Sequence, residues 1–156
     1  MIIDEVPAWA PSVRSSKRLT VIPKRQLADP SLAAALLDMS TGRMLDDLET
    51  TGFLFENLVA HDLRVYAEAA RASIYHYREA EGRLEVDYVV ETRDGDWMGV
   101  EVKLGHAEID AACDSLRRLA DRVKRKPKAL VVMTGTSLAY TREDGVHVVP
   151  LGLLGA

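Results

Sequence analysis

Apolar and polar residues alternate with period two over residues 84–91 and again over residues 97–104, with Arg93-Asp94-Gly95-Asp96 between the two runs. This pattern predicts a β-hairpin. Leu84, Val86, Tyr88 and Val90 point to one side of the first strand, and Met98, Val100, Val102 and Leu104 to one side of the second. A single buried side requires both sets on the same face. Facing residues then share parity, and the loop holds an odd number of residues. Arg93-Asp94-Gly95 meets this as a three-residue loop, a type I turn closed by a glycine in the left-handed region. Asp87 then falls opposite Glu101, and Glu85 opposite Lys103. A two-residue Asp94-Gly95 turn puts Asp87 and Glu101 on opposite faces instead.

The pattern changes on either side of the hairpin. Residues 1–16 contain Pro7 and Pro11 and show little periodicity, which predicts an arm or linker with Trp9 docking on the body. Arg18-Leu19-Thr20-Val21-Ile22 reads as a short strand ended by Pro23, and Lys24-Arg25-Gln26-Leu27-Ala28 as a second. A helix follows, capped by Asp29 or Ser31 with Pro30 in its first turn. Residues 41–49 form another short helix, capped by Ser40 or Thr41. Residues 52–71 carry the longest helical pattern, with Phe55, Leu58, Val59, Leu63, Tyr66 and Ala70 as the buried stripe. Glu56 lies beside that stripe, and Asn57 and His61 sit one turn apart.

Ser73-Ile74-Tyr75-His76-Tyr77 is a strand, with His76 on the sheet surface, and a polar turn over residues 78–82 leads into the hairpin. After Gly105 the period is helical again, and Ile109, Ala112, Cys113, Leu116, Leu119, Ala120 and Val123 make one apolar face. Pro127 stops this helix. Ala129-Leu130-Val131-Val132-Met133 is a continuous apolar run, as in a strand covered on both faces. Residues 135–140 read as loop, and Val146-His147-Val148-Val149 as a last strand after the Asp144-Gly145 turn. The fold class is therefore α/β, a mixed β-sheet flanked by helices, with 17–156 as a single domain.

Composition adds bounds. The 156 residues suffice for one domain with a sizeable core. The lone Cys113 excludes an internal disulfide and suits a reducing cytoplasm. No apolar run approaches the roughly 20 residues of a membrane helix, and no signal peptide is visible. The net charge of −4 argues against indiscriminate nucleic-acid binding. Against this acidic background, Arg117, Arg118, Arg122, Lys124, Arg125, Lys126 and Lys128 concentrate near one helix C-terminus. That location suits the helix dipole, and a phosphate-contacting patch fits equally well.

The candidate chemistry lies on the hairpin. Carboxylates facing each other across two strands stand with Cβ atoms roughly 5 Å apart. They repel, so one takes up a proton or a cation settles between them, and an oxygen-seeking divalent ion such as Mg²⁺ suits that position. Lys103 on the same face can hold a metal-bound water or stabilise charge on a phosphoryl group. The same residues also fit a solvated face with Glu85–Lys103 as a cross-strand ion pair.

The order helix, three strands, helix, strand, with Glu56 on the helix, Asp87 on a strand and Glu101-Val102-Lys103 on the next, resembles the PD-(D/E)XK restriction-endonuclease-like superfamily and its αβββαβ core. From about Lys17 onward the chain is similar to the C-terminal domain of unknown function of AAA-type ATPases. That likeness is carried by Lys24-Arg25-Gln26-Leu27-Ala28-Asp29-Pro30-Ser31-Leu32-Ala33, by Gly52-Phe53-Leu54-Phe55-Glu56-Asn57-Leu58-Val59-Ala60, and by the hairpin. Ser31 stands where that family often has glycine. The resemblance implies Mg²⁺ or Mn²⁺ bound by Asp87 and Glu101, with the Val102 carbonyl as a third ligand, Glu56 completing the site and Lys103 orienting the attacking water in phosphodiester hydrolysis. It also implies an inactive binding module as the alternative, and the basic run offers Arg118, Arg122 and Arg125 as its nucleic-acid contacts. DNA and an AAA-type ATPase are the implied partners. No Gly-x-x-x-x-Gly-Lys-[Ser/Thr] loop occurs, so no ATP site is expected in this chain, which reads as the C-terminal module alone.

Overall fold

The computed structural model describes residues 3–11, 21–79 and 82–154. Strand β1 (Ile3–Val6) pairs antiparallel with β2 (Lys24–Leu27). Helices α1 (Pro30–Leu36), α2 (Thr41–Asp46) and α3 (Leu48–Ala69) follow. The remaining elements are β3 (Ala72–Arg78), β4 (Glu85–Thr92), β5 (Trp97–Lys103), α4 (Ile109–Arg122), β6 (Ala129–Thr134), β7 (Tyr140–Thr141) and β8 (His147–Pro150). Strands β3-β4-β5-β6-β8-β7 form one six-stranded sheet. It is mixed: β3, β4 and β5 run antiparallel, β6 lies parallel to both β5 and β8, and β7 closes the edge antiparallel. The expected order of helix, three strands, helix and strand is present as α3, β3, β4, β5, α4 and β6.

Capping chemistry starts the first helices. Asp29 accepts the Ser31 N–H at 2.8 Å with Pro30 in the first turn of α1, and Ser40 accepts the Arg43 N–H at 3.3 Å in α2. Asp47 both ends α2 and caps α3 through the Thr50 N–H at 3.0 Å, so the long helix begins at Leu48, four residues before its predicted start. Its buried residues are Val59, Ala60, Leu63 and Ala67. The predicted stripe is thus turned slightly about the helix axis: Leu58 and Ala70 are exposed, because β3 and β5 meet the helix on the neighbouring line.

Both faces of the sheet are covered. Val59, Ala60 and Leu63 of α3 share a core with Val6, Ile74, Tyr88, Val100, Val102 and Met133. Ile109, Ala112, Cys113, Leu116 and Leu119 of α4 share the other with Trp9, Leu84, Val86, Val89, Trp97, Val132 and Val148. The expectation of one buried side fails for this reason, and so does strict alternation along β4. Tyr75 faces Val89 while Tyr77 faces Val86, so β4 carries one extra residue, a β-bulge at Asp87-Tyr88. The bulge sends Leu84 and Val86 toward α4, while Tyr88 faces α3.

The hairpin register follows the three-residue loop. Tyr88 faces Val100, Val90 faces Met98 and Glu91 faces Trp97. Thr92 N–H donates to the Asp96 carbonyl at 2.8 Å, and Gly95 sits at φ +78°, the backbone region that glycine enters without penalty.

Residues 3–11 carry more regular structure than their sequence suggests. Ile3–Val6 is a strand, too short and too close to prolines to show a period. Arg64 of α3 holds Asp4 in an ion pair. Trp9 is buried against Trp97, ring centroids 4.9 Å apart, and against Tyr77 at 6.2 Å. This segment runs along β3, where His76 N–H donates to the Pro7 carbonyl at 3.0 Å. His76 is therefore buried rather than on the sheet surface, and burial pushes its pKa down, helped by the Lys24 charge. The predicted strand at residues 18–22 lies largely outside the described residues, and its described end, residues 21–22, is not strand. Tyr140–Thr141 pairs with β8 where loop is expected. Among the described residues no helix is long and apolar enough to cross a membrane.

Candidate functional site

The site lies where β4 begins and β5 ends. There β5 has an antiparallel neighbour on one side and a parallel one on the other, a discontinuity of the kind that leaves room at the strand ends. Alternation along β5 puts Val100 and Val102 in the core under α3, and Glu101 and Lys103 on the side of α4. The bulge turns Asp87 out of the regular ladder, and its Oδ2 accepts the Val102 N–H at 2.9 Å.

Asp87 and Glu101 come together as the register predicts. They share a side-chain hydrogen bond, and Glu101 is only 5% exposed. Burial foremost, and then the Asp87 charge beside it, pushes the Glu101 carboxyl up to about 9. Between the ordinary carboxylate value and that point the pair holds a proton, so it carries one negative charge instead of two. Lys103 Nζ lies 3.5 Å from Glu101 Oε2. Burial works against its charge, but the charges of Glu101, Asp87 and Glu108 outweigh it and raise the lysine above its ordinary value. The ammonium is therefore retained.

Glu56 reaches this group by another route. It is half-buried on α3, where it accepts the Tyr88 hydroxyl at 3.3 Å and contacts the Lys24 ammonium. Lys24 Nζ in turn lies 3.6 Å from Asp87 Oδ1 and 4.9 Å from the centre of the Tyr88 ring. The charges thus run Glu56, Lys24, Asp87, Glu101, Lys103. Lys24 was not among the residues singled out from sequence. The available signal was the strand alternation of Lys24-Arg25-Gln26-Leu27, which turns Lys24 and Gln26 inward and leaves Arg25 exposed. Gln26 is buried and donates to the Tyr88 hydroxyl, and Leu27 N–H donates to Asn57 Oδ1 at 2.8 Å. Glu56 and Asn57 together therefore clamp β2 against the sheet.

Glu85 pairs with Arg78 across β3 at 2.6 Å, not with Lys103, because the bulge removes it from the hairpin register. The candidate nucleic-acid arginines all have partners within the chain. Arg118 donates to the Arg83 carbonyl at 3.0 Å, Arg122 pairs with Glu79, and Arg125 binds Asp96 at 2.5 Å and the Asp94 carbonyl at 2.6 Å. Arg125 meets the hairpin turn, roughly 20 Å along the strands from Asp87.

Among the described residues no three His, Cys, Asp or Glu side chains stand close enough to hold a metal ion. The donor chemistry of Asp87 and Glu101 nevertheless suits a hard divalent cation. Magnesium commonly takes one or two carboxylates and completes its shell with water and substrate phosphate.

The family model of a domain of unknown function, DUF4143, matches residues 51–154. No curated protein matches the chain. A solved structure with some likeness is the refined half-complex from the tetradecameric assembly of Thermococcus gammatolerans McrB AAA+ hexamers with bound McrC. It is 17% identical, with a TM-score of 0.40, over 64% of this chain and 27% of that one. This chain thus spans about a quarter of the other's length, and the likeness is too slight to define fold or activity.

Proposed function

The chain belongs to the DUF4143 family, and for this member we propose a metal-dependent nuclease-type site that hydrolyses phosphodiesters. The observation that carries the reading is the meeting of Asp87, Glu101 and Lys103 at one end of the hairpin, with Asp87 fixed by the Val102 N–H and Glu101 buried beside it. Two carboxylates driven to share one proton form a place where a cation relieves a standing repulsion. Asp87 and Glu101 would hold Mg²⁺ or Mn²⁺, with the Val102 carbonyl as a further ligand. The bound ion would supply charge neutralisation at the phosphate and a more acidic water. Lys103 orients the attacking water and donates to a phosphoryl oxygen as charge builds there. The water oxygen bonds to phosphorus and gives up a proton to solvent, the bond to the leaving sugar oxygen breaks, and that oxygen takes a proton from solvent. In the metal-free chain Glu56 stands one cation away, on the far side of the Lys24 ammonium.

The sequence resemblance supports work alongside an AAA-type ATPase, with a nucleic acid as the substrate. The test is Mn²⁺-dependent cleavage of labelled single- and double-stranded DNA and of RNA. Wild-type protein cleaves one of them, and Asp87→Asn and Lys103→Ala do not. Equal cleavage by all three proteins, or none by wild type, overturns the assignment.

A second reading is a non-catalytic module that docks on a protein partner. It is favoured by the exposed apolar side chains of Leu36, Leu45, Leu48 and Phe53 on α1, α2 and the start of α3. Retention of an ATPase partner by wild type but not by Leu45→Asp/Phe53→Asp supports it, and equal retention by both sinks it.

A further inference from the structure

Besides Lys103, a second cation of the chain stands beside the proposed metal position. Lys24 extends from β2, and its ammonium touches Glu56 on α3 and stands 3.6 Å from Asp87 on β4. Its stem is held by a strand with fixed anchors: Leu27 to Asn57, Gln26 to Tyr88, and Val6 beside Lys24 in the strand pair. The face of the Tyr88 ring, 4.9 Å away, adds a further attraction for the ammonium. No carboxylate other than Glu56 and Asp87 pairs with this lysine among the described residues. Its carboxylate partners among the described residues are therefore both members of this charge group.

Resting on the metal-site reading above, we propose that Lys24 is a resident counter-cation, whose ammonium fills the space between Glu56 and Asp87 and must leave when a divalent ion binds. An ammonium 3.6 Å from Asp87 and a divalent ion held by Asp87 and Glu101 repel each other and compete for the lone pairs of the one carboxylate they share, Asp87. The lysine has a way out. Its side chain is 31% exposed, and its stem has several freely turning bonds. Departure of the ammonium releases Glu56 to join Asp87, which accounts for Glu56 standing outside the Asp87–Glu101 pair in this structure. Two functions follow for one residue: it stabilises the metal-free chain, and it sets the cation concentration at which the site loads.

The test is Mn²⁺ binding by calorimetry to wild type, Lys24→Gln, Lys24→Arg and Asp87→Asn, with thermal melts of each with and without Mn²⁺. Loss of the competing charge makes Lys24→Gln bind Mn²⁺ about tenfold more tightly than wild type. Lys24→Arg keeps the wild-type affinity, and Mn²⁺ raises the melting temperature of Lys24→Gln by more than that of wild type. A second measurement needs no variant: in wild type, saturating Mg²⁺ shifts the Lys24 ammonium NMR signal toward that of a solvent-exposed lysine. Mn²⁺ binding lost in Asp87→Asn but unchanged or weaker in Lys24→Gln overturns the role of Lys24 and leaves the metal site standing. An unmoved Lys24 signal in Mg²⁺-saturated protein does the same. No binding by any of the four proteins overturns the metal site and this inference with it.

Discussion

Asp87 Oδ2 accepts the backbone N–H of Val102 at 2.9 Å, so a side chain continues the contact between β4 and β5 where the ladder ends. The same carboxylate shares a hydrogen bond with Glu101 and an ion pair with Lys24. One residue therefore joins backbone order to the charge arrangement of the site. Removing the acceptor leaves a half-buried N–H without its partner, at a cost of about 2 kcal/mol. Asp87→Ala is expected to lose that much in urea unfolding, whereas Asp87→Asn, which keeps an amide oxygen, loses less than about 1 kcal/mol. Equal losses in the two variants would contradict the role given to this bond.

The pH dependence of stability follows from Glu101. Burial, with the Asp87 charge second, raises its carboxyl in the folded chain, so the native state keeps a proton that the unfolded state has released. A raised value gives stability that is full below the ordinary value of 4.5 and is lost as pH rises toward about 9. The melting temperature of wild type is expected to fall across that window, and that of Glu101→Gln to change less. Parallel profiles for the two proteins would show that Glu101 is not the group responsible.

Much of this arrangement was legible in the sequence, and what was missed has identifiable physical causes. Odd loop length and the position of Gly95 predicted the pairing of Tyr88 with Val100, and with it the meeting of Asp87 and Glu101. The apolar face of α4 was complete from Ile109 to Val123, because one amphipathic helix on one sheet face obeys a single period. The bulge at Asp87-Tyr88 left no such trace. An extra residue leaves the alternation written in the sequence as it was, while in the fold it turns Leu84 and Val86 to the face opposite Tyr88 and shifts β4 against β3, and that shift is set by packing. Lys24 was hidden because its partners, Glu56 and Asp87, lie far away in the sequence and a four-residue strand carries little pattern.

Trp9 docks on the body as expected, but the segment that carries it shows the same limit from the other side. Its burial against Trp97 and Tyr77 makes the N-terminal segment part of the core, although its local sequence looks like a linker. Trp9→Ala is expected to destabilise the chain by about 3 kcal/mol or more, measured by urea unfolding. A loss under about 0.5 kcal/mol, typical of an exposed position, would contradict its place in the core.

The close contact between β5 and α4 gives a further check. A Cβ at Gly99 would stand 3.0 Å from Leu116 Cδ2 and 3.3 Å from Leu130 Cδ2. Gly99→Ala is therefore expected to cost about 1–3 kcal/mol, even though alanine suits a strand no worse than glycine. An unchanged unfolding midpoint would mean that α4 sits farther from the sheet than described.

The most direct test of the proposed metal site is the proton balance of Mn²⁺ binding at pH 7, read by calorimetry in two buffers of different ionisation enthalpy. Metal binding to Asp87 and Glu101 must expel the proton they share, so wild type releases about one proton per ion and Asp87→Asn shows no saturable binding. Saturable binding without proton release, or binding that survives in Asp87→Asn, would place the ion elsewhere and contradict the account.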